Sequence, residues 1–132
     1  MAKPSKIKLH RVSRVLEVAF DNGEAFQLPC EYLRVFSPSA EVQGHGAAEP
    51  VLVPGKRGVN ISQIEPVGRY AVRLIFDDAH RTGLYSWEVL LQLGRAQAEN
   101  WQTYLRRMNE QGMSRDSDLV KLGALPRKYT PG

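Results

Sequence analysis

Apolar and polar positions alternate in short runs over the first thirty residues. Across 6–12, Ile7, Leu9 and Val12 stand against Lys6, Lys8 and Arg11, the pattern of a strand with one wet face. Across 14–20, Leu16, Val18 and Phe20 oppose Val15, Glu17 and Ala19. Asp21-Asn22-Gly23 then supplies a hairpin turn, because Asn-Gly tolerates positive φ at both central positions. The return strand is 24–28. Pro29 stops it, and Cys30-Glu31-Tyr32-Leu33-Arg34 predicts one short helical turn before Ser37-Pro38-Ser39.

Residues 38–58 read as a loop, because Pro38, Gly44, Gly46, Pro50, Pro54, Gly55 and Gly58 leave little room for a regular element. A further hairpin follows, 59–66 and then 69–77, with Val72, Leu74 and Phe76 on one face. After Asp78-Ala79-His80 the chain returns through 81–84. Ser86 is an N-cap for a helix starting at Trp87. Trp87, Leu90, Leu91, Ala98, Trp101, Leu105 and Met108 recur at helical spacing, with Gly94 placed to kink or divide the run. Beyond Gly112 apolar residues are few. The expected organisation is a single domain over 1–112 and an unstructured basic tail over 113–132.

An internal repeat runs through this pattern at an offset of about 56 residues. Leu16, Val18, Phe20, Asp21, Leu28 and Cys30 align with Val72, Leu74, Phe76, Asp77, Leu84 and Ser86. Each half reads strand, Phe-Asp turn, strand, small polar residue, helical turn, although two unrelated hairpins of similar length would also produce so short a match. The predicted fold class is α+β: a small domain rich in antiparallel hairpins, with a pseudo-repeated hairpin-plus-helix unit and a C-terminal helix.

Composition changes the picture by exclusion. At 132 residues, 42% hydrophobic and 24% charged, the chain can bury a core of its own. No apolar run reaches the roughly 18 residues of a membrane helix. The single cysteine, Cys30, rules out a disulfide scaffold. A cytoplasmic, soluble, monomeric domain with no membrane partner is the expectation. The net charge of +4 is uneven: residues 1–14 carry +5, 102–132 carry +3, and the middle carries −4. With the basic residues near the ends and no RNA-binding signature, nucleic acid is not the expected partner.

Specific chemistry is sparse. His10, His45 and His80 lie 35 residues apart, so none forms an i, i+4 pair, and none precedes an acid at the spacing of a facial triad. Cys30, Asp77, Asp78 and His80 can be drawn as a metal site, yet Asp77 and Asp78 also read as turn residues and Cys30 as a small buried hydrophobe. Nothing local argues a depressed thiol pKa at Cys30. Gly55-Lys56-Arg57-Gly58 lacks the first glycine and the Ser/Thr of a phosphate loop, and Gly44-His45-Gly46 lacks the third glycine of a dinucleotide fingerprint. Trp87 and Trp101, 14 residues apart, would share one helix face as a core or docking stripe.

The run Leu28 to Val42 followed by Gly44-His45-Gly46 resembles the gamma-butyrobetaine hydroxylase-like N-terminal domain family. So do Val59-Asn60-Ile61, Glu65-Pro66-Val67-Gly68, Tyr70-Ala71-Val72, Phe76-Asp77-Asp78, His80 and Gly83-Leu84-Tyr85-Ser86-Trp87. The likeness covers about 6–94 and implies a small α+β domain, which bacterial proteins often carry alone. In the hydroxylase it precedes an oxygenase domain using iron and 2-oxoglutarate, and holds zinc through three cysteines and a histidine. Carried over, those positions fall on Ser37, Ser39, Val42 and His80, so His80 is the one matching zinc-ligand position. Similar domains are also fused to P-loop ATPases carrying iron–sulfur clusters, which implies an adaptor role on such a carrier.

The expected function is a non-enzymatic interaction module that binds a protein partner. Its expected surface is the loop bearing Arg34, Ser37, Ser39, His45, Lys56, Arg57 and Asn60, beside the turn bearing Asp77, Asp78 and His80, because long loops on a rigid scaffold concentrate function. The same side chains could instead satisfy the loop's own backbone. No cofactor is expected. The alternative is a metal- or small-ligand-binding accessory domain of an oxygenase system, with zinc or iron, or an anion, at His80 and the neighbouring aspartates.

Overall fold

The two alternating runs at the start of the chain pair as antiparallel strands β1 (Pro4–His10) and β2 (Val15–Phe20), and β3 (Ala25–Pro29) completes a three-stranded sheet in the order β1-β2-β3. The chain then enters the short helix α1 (Cys30–Val35). A second sheet, in the order β4-β5-β6, is built from β4 (Ile61–Val67), β5 (Ala71–Phe76) and β6 (Gly83–Ser86). It leads into α2 (Trp87–Arg95) and α3 (Gln97–Glu110). This architecture is that of a computed structural model, which describes residues 2–38, 52–80 and 83–120. Pro4, Pro29 and Pro66 all fall on edge strands, where a missing N–H breaks no ladder. The α+β class and the repeated hairpin-plus-helix unit expected from the sequence are both present.

The repeat extends to individual hydrogen bonds. Asp21 accepts from the Lys3 N–H at 3.1 Å and returns its own N–H to the Lys3 carbonyl at 2.8 Å. Asp77 does the same with Asn60, at 3.1 and 2.9 Å. Gly23 and Ala79 occupy matching left-handed positions, φ +94° and +73°, each donating to the Phe that opens its turn. Register shifts follow Pro4 in one half and Ile61 in the other, and there Ser5 and Ser62 bond the carbonyls of Ala19 and Ile75. One detail of the expected alignment is corrected. The counterpart of Leu28, which faces Leu16 across its ladder, is Tyr85, which faces Val72. Leu84 is 44% exposed, because β6 pairs with β5 one residue later than the repeat offset of 56 would place it.

Leu16, Val18 and Phe20 of one sheet and Val72, Leu74 and Phe76 of the other are buried in one apolar cluster, closed by Tyr32 and Leu33 of α1 and Leu90 and Leu91 of α2. Each such side chain contributes about 1.5–3 kcal/mol on full burial. A second cluster joins Val35, Tyr104 and Met108 to Leu52, Val53 and Met113.

The C-terminal end keeps some expectations and changes others. The run from Trp87 is two helices, broken at Ala96 (φ −100°, ψ 14°), two residues past Gly94. Gly94 stays helical and serves close packing, since a Cβ there would lie 2.5 Å from the Phe26 ring. Trp87 and Trp101 stand on separate helices and both pack against the main core, the Trp87 indole donating to the Arg69 carbonyl and Trp101 stacking on Tyr104. Residues 113–120, expected to be unstructured, form a hairpin of β7 (Met113–Ser114) and β8 (Ser117–Val120). Its turn is anchored by Arg115, which makes two hydrogen bonds of 2.7 and 2.8 Å to the buried Glu31 carboxylate and lies over Trp101. That tie links residues 84 positions apart, beyond any local pattern.

Candidate functional site

The turn after β5 is fixed by Asp77 and by the positive φ of Ala79, which presents Asp78 and His80 toward the end of α1. Asp78 Oδ2 accepts from Arg34 Nε at 2.9 Å and from Lys56 Nζ at 2.7 Å, while Oδ1 accepts from the His80 N–H at 3.2 Å. Burial pushes the Asp78 carboxyl up, but the hydrogen bonds from Lys56 and Arg34 outweigh it and hold the group below its ordinary range. Ser37 Oγ and His80 Nε2 share a hydrogen bond of 3.0 Å, and the imidazole packs against Phe76. Behind them the buried Tyr85 hydroxyl donates to the Leu33 carbonyl, and burial drives its pKa far above the usual phenol value.

Asn60 sits alongside, at the entry to β4. Its Oδ1 accepts from the Ile61 N–H and from the Cys30 thiol, and its Nδ2 donates to the Arg11 carbonyl. Burial pushes the Cys30 thiol up, so it stays protonated at neutral pH and packs as a small apolar group rather than as a nucleophile.

The fold therefore gathers Arg34, Ser37, Lys56, Asp78 and His80 into one cluster, with Asn60 and Asp77 beside it. Arg57 is not part of it: its guanidinium turns to Asp116 on the C-terminal hairpin. Ser39 and His45 lie outside the described residues. The cluster's polar groups engage one another, which is the chemistry of a brace between loop ends.

The zinc set implied by the family resemblance does not fit these residues. Ser37 and His80 do come together, but through the 3.0 Å hydrogen bond, and one imidazole with a serine hydroxyl is no tetrahedral zinc set. Val42 lies outside the described residues, and among the described residues no three His, Cys, Asp or Glu side chains are grouped to hold a metal ion.

Sequence reasoning missed a second feature. An apolar cleft of about 450 Å³ opens between α2 and α3, against the end of α1. Val35, Leu93 and Tyr104 are its buried wall, joined by Phe36, Leu52 and Val89. Glu88 and Gln92 of α2, and Glu99, Asn100, Thr103 and Arg107 of α3, edge it with polar groups. The Tyr104 hydroxyl donates to the Val53 carbonyl at 2.7 Å, and burial pushes its pKa up to about 12. The cleft lies between the two helices that meet at Ala96, and although Gly94 signalled a division of the run, nothing in the sequence told what that division would open.

Related solved structures share this fold. Two solution NMR structures match with TM-scores of 0.77, at 52% and 44% identity, each over 92% of this chain and over 92% and 98% of the other. A crystal structure of a protein of unknown function from Acidithiobacillus ferrooxidans, assigned to the DUF971 family, matches at 38% identity and TM-score 0.59, over 69% of this chain and 91% of that one. No curated protein matches the chain. Residues 7–91 match the family described as gamma-butyrobetaine hydroxylase-like, N-terminal. With nearly two-thirds of its length inside that match and the expected hairpins, turns and helices in place, the chain belongs to the gamma-butyrobetaine hydroxylase-like N-terminal domain family.

Proposed function

We propose that this chain is a non-catalytic interaction module that binds a protein partner through the cleft between α2 and α3. The observation that carries the reading is that cleft: about 450 Å³, walled by apolar side chains, edged by hydrogen-bonding ones and framed by two helices. This is the form of groove that takes the side chains of a docked peptide or helix. The brace at Asp78 supports it from below by holding the end of α1, and hence Val35, in place. A cytoplasmic adaptor role on an oxygenase or an iron–sulfur carrier is consistent with such a module.

The second reading, a small-ligand-binding accessory domain, rests on Arg34 and Lys56 converging on one carboxylate. An anionic ligand there would have to displace Asp78, which favours the cleft.

A photo-crosslinking residue at Thr103, inside the cleft, tests the proposal against the same residue at Leu84, on β6. In cells of the source organism, Thr103 should give one adduct of fixed mass that disappears when Val89 is changed to Glu. No adduct at Thr103, or the same adduct from Leu84, would overturn the reading.

A further inference from the structure

The described glutamates divide into two groups. Glu17, Glu24, Glu31, Glu65 and Glu110 each pair with a lysine or arginine at 4 Å or less. Glu88 and Glu99 make no such pair among the described residues, and both line the cleft. Each stands in the first turn of its helix, Glu88 on α2 and Glu99 on α3. The helix N-terminus favours an acid there without neutralising it. Glu88 Oε2 accepts one hydrogen bond, from the neutral amide of Gln92 at 2.9 Å. Arg107, the cation on the cleft wall, is already engaged.

On a protein with net charge +4, whose other described glutamates all stand in ion pairs, two carboxylates with no ion pair among the described residues, on opposite walls of an apolar groove, are a matching surface for cations. Resting on the proposed interaction role, we infer that the occupant is a peptide segment of the partner with apolar side chains flanked by lysine or arginine. The apolar side chains would fill the space beside Val89, Leu93 and Tyr104. The basic residues would meet Glu88 and Glu99, where complementary charge sets register and raises the association rate more than it deepens affinity. An acidic or uncharged segment would bury or crowd the same carboxylates with nothing opposite them.

The probe is a display library of random 12-residue peptides, selected on the full chain and then tested as synthetic peptides. Selected sequences should combine leucine, isoleucine or phenylalanine with lysine or arginine. Their affinity should fall about tenfold in a Glu88→Gln, Glu99→Gln double variant and weaken with added salt, because both pairs are exposed to solvent. Binding should vanish when Gln92→Trp or Thr103→Trp fills the cleft; the first lies at an exposed rim position and spares the core if the second fails to fold.

Peptides that lose binding to the filled cleft but show no basic preference, or an acidic one, would overturn this inference and leave the cleft reading standing. Peptides indifferent to the filled cleft would overturn both. No enrichment would also overturn both. Selection of sequences like residues 121–132, or self-association that empties the cleft of peptide, would replace the partner with the chain's own tail or a second copy and so overturn the inference.

Discussion

Glu24 and Arg95 lie 71 residues apart, and their side chains meet twice, at 2.6 and 3.0 Å. Glu24 belongs to the turn of the first repeat and Arg95 to the last turn of α2, the helix of the second. The pair has a mirror in Asp78 and Arg34, where the second repeat's turn holds the last turn of the first repeat's helix. Tyr32 of α1 adds a 2.6 Å bond to the Leu93 carbonyl of α2. Each half thus clasps the other's helix, and the two braces differ in setting. Glu24 and Arg95 are open to solvent, whereas the Asp78 pair is half-buried and carries two cations.

That difference sets the first prediction. Asp78→Asn should lower stability by about 1 kcal/mol at pH 7, since partial exposure keeps the brace well short of a fully buried pair. Glu24→Gln should cost less. The Asp78 carboxyl is depressed in the folded chain, so its contribution is complete above the unfolded value near 4 and is lost as pH falls through the folded one. Denaturant midpoints should therefore separate wild type from Asp78→Asn at pH 7 and bring them together well below pH 4.

Tyr85 behaves in the opposite sense. Its pKa is raised by burial, so the stability it provides is present below about pH 10 and declines as pH rises further. Tyr85→Phe leaves the Leu33 carbonyl without its donor and should cost about 1–3 kcal/mol at neutral pH. The gap between wild type and Tyr85→Phe should narrow in thermal melts above pH 10. A constant gap up to pH 11 would contradict this account.

At Gly94 two effects compete. Alanine in a helix interior gains up to about 1 kcal/mol over glycine, but here its Cβ would lie 2.5 Å from the Phe26 ring, at the ring root rather than a flexible end. Overpacking should win, with Gly94→Ala destabilising by about 1–3 kcal/mol. Adding Phe26→Leu should recover part of the loss in urea titrations.

Arg115 tests the hairpin. Arg115→Ala leaves the Glu31 carboxylate buried without a partner and should cost about 3–5 kcal/mol. Arg115→Lys should restore little, since a single ammonium cannot make the two-pronged contact. The double variant Glu31→Gln, Arg115→Ala should be more stable than Arg115→Ala alone. Chemical denaturation of the three variants decides it.

Most of the local architecture was legible in the sequence. Alternation gave the strands, Asn22-Gly23 a turn, and Ser86 the cap of α2, where its Oγ accepts the Val89 N–H at 3.1 Å. The repeated Phe-Asp pairs pointed to two equivalent turns. What was hidden depends on long-range packing. Gly94 marked the division of the helix to within two residues, but it carries no sign of the ring pressed against it. The loop cluster was half legible: Arg34, Ser37, Lys56, Asp78 and His80 were all picked out, but a sequence cannot show that Arg34 and Lys56 would converge on one carboxylate. Nor can it show that Arg57, one residue from Lys56, would turn the other way to Asp116. Glu88 and Glu99 drew no notice in the sequence; what sets them apart is that they share one cleft and that neither forms an ion pair among the described residues.

The crossed clasps change what the connection between the repeats is for. Glu24–Arg95, Arg34–Asp78, Tyr32–Leu93 and Tyr85–Leu33 all run from one half to the other, and none depends on the two halves being one polymer. The peptide linkage between them acts as a tether, raising the effective concentration of each half at the other. Severing it would make assembly depend on protein concentration while leaving every one of those bonds available to form.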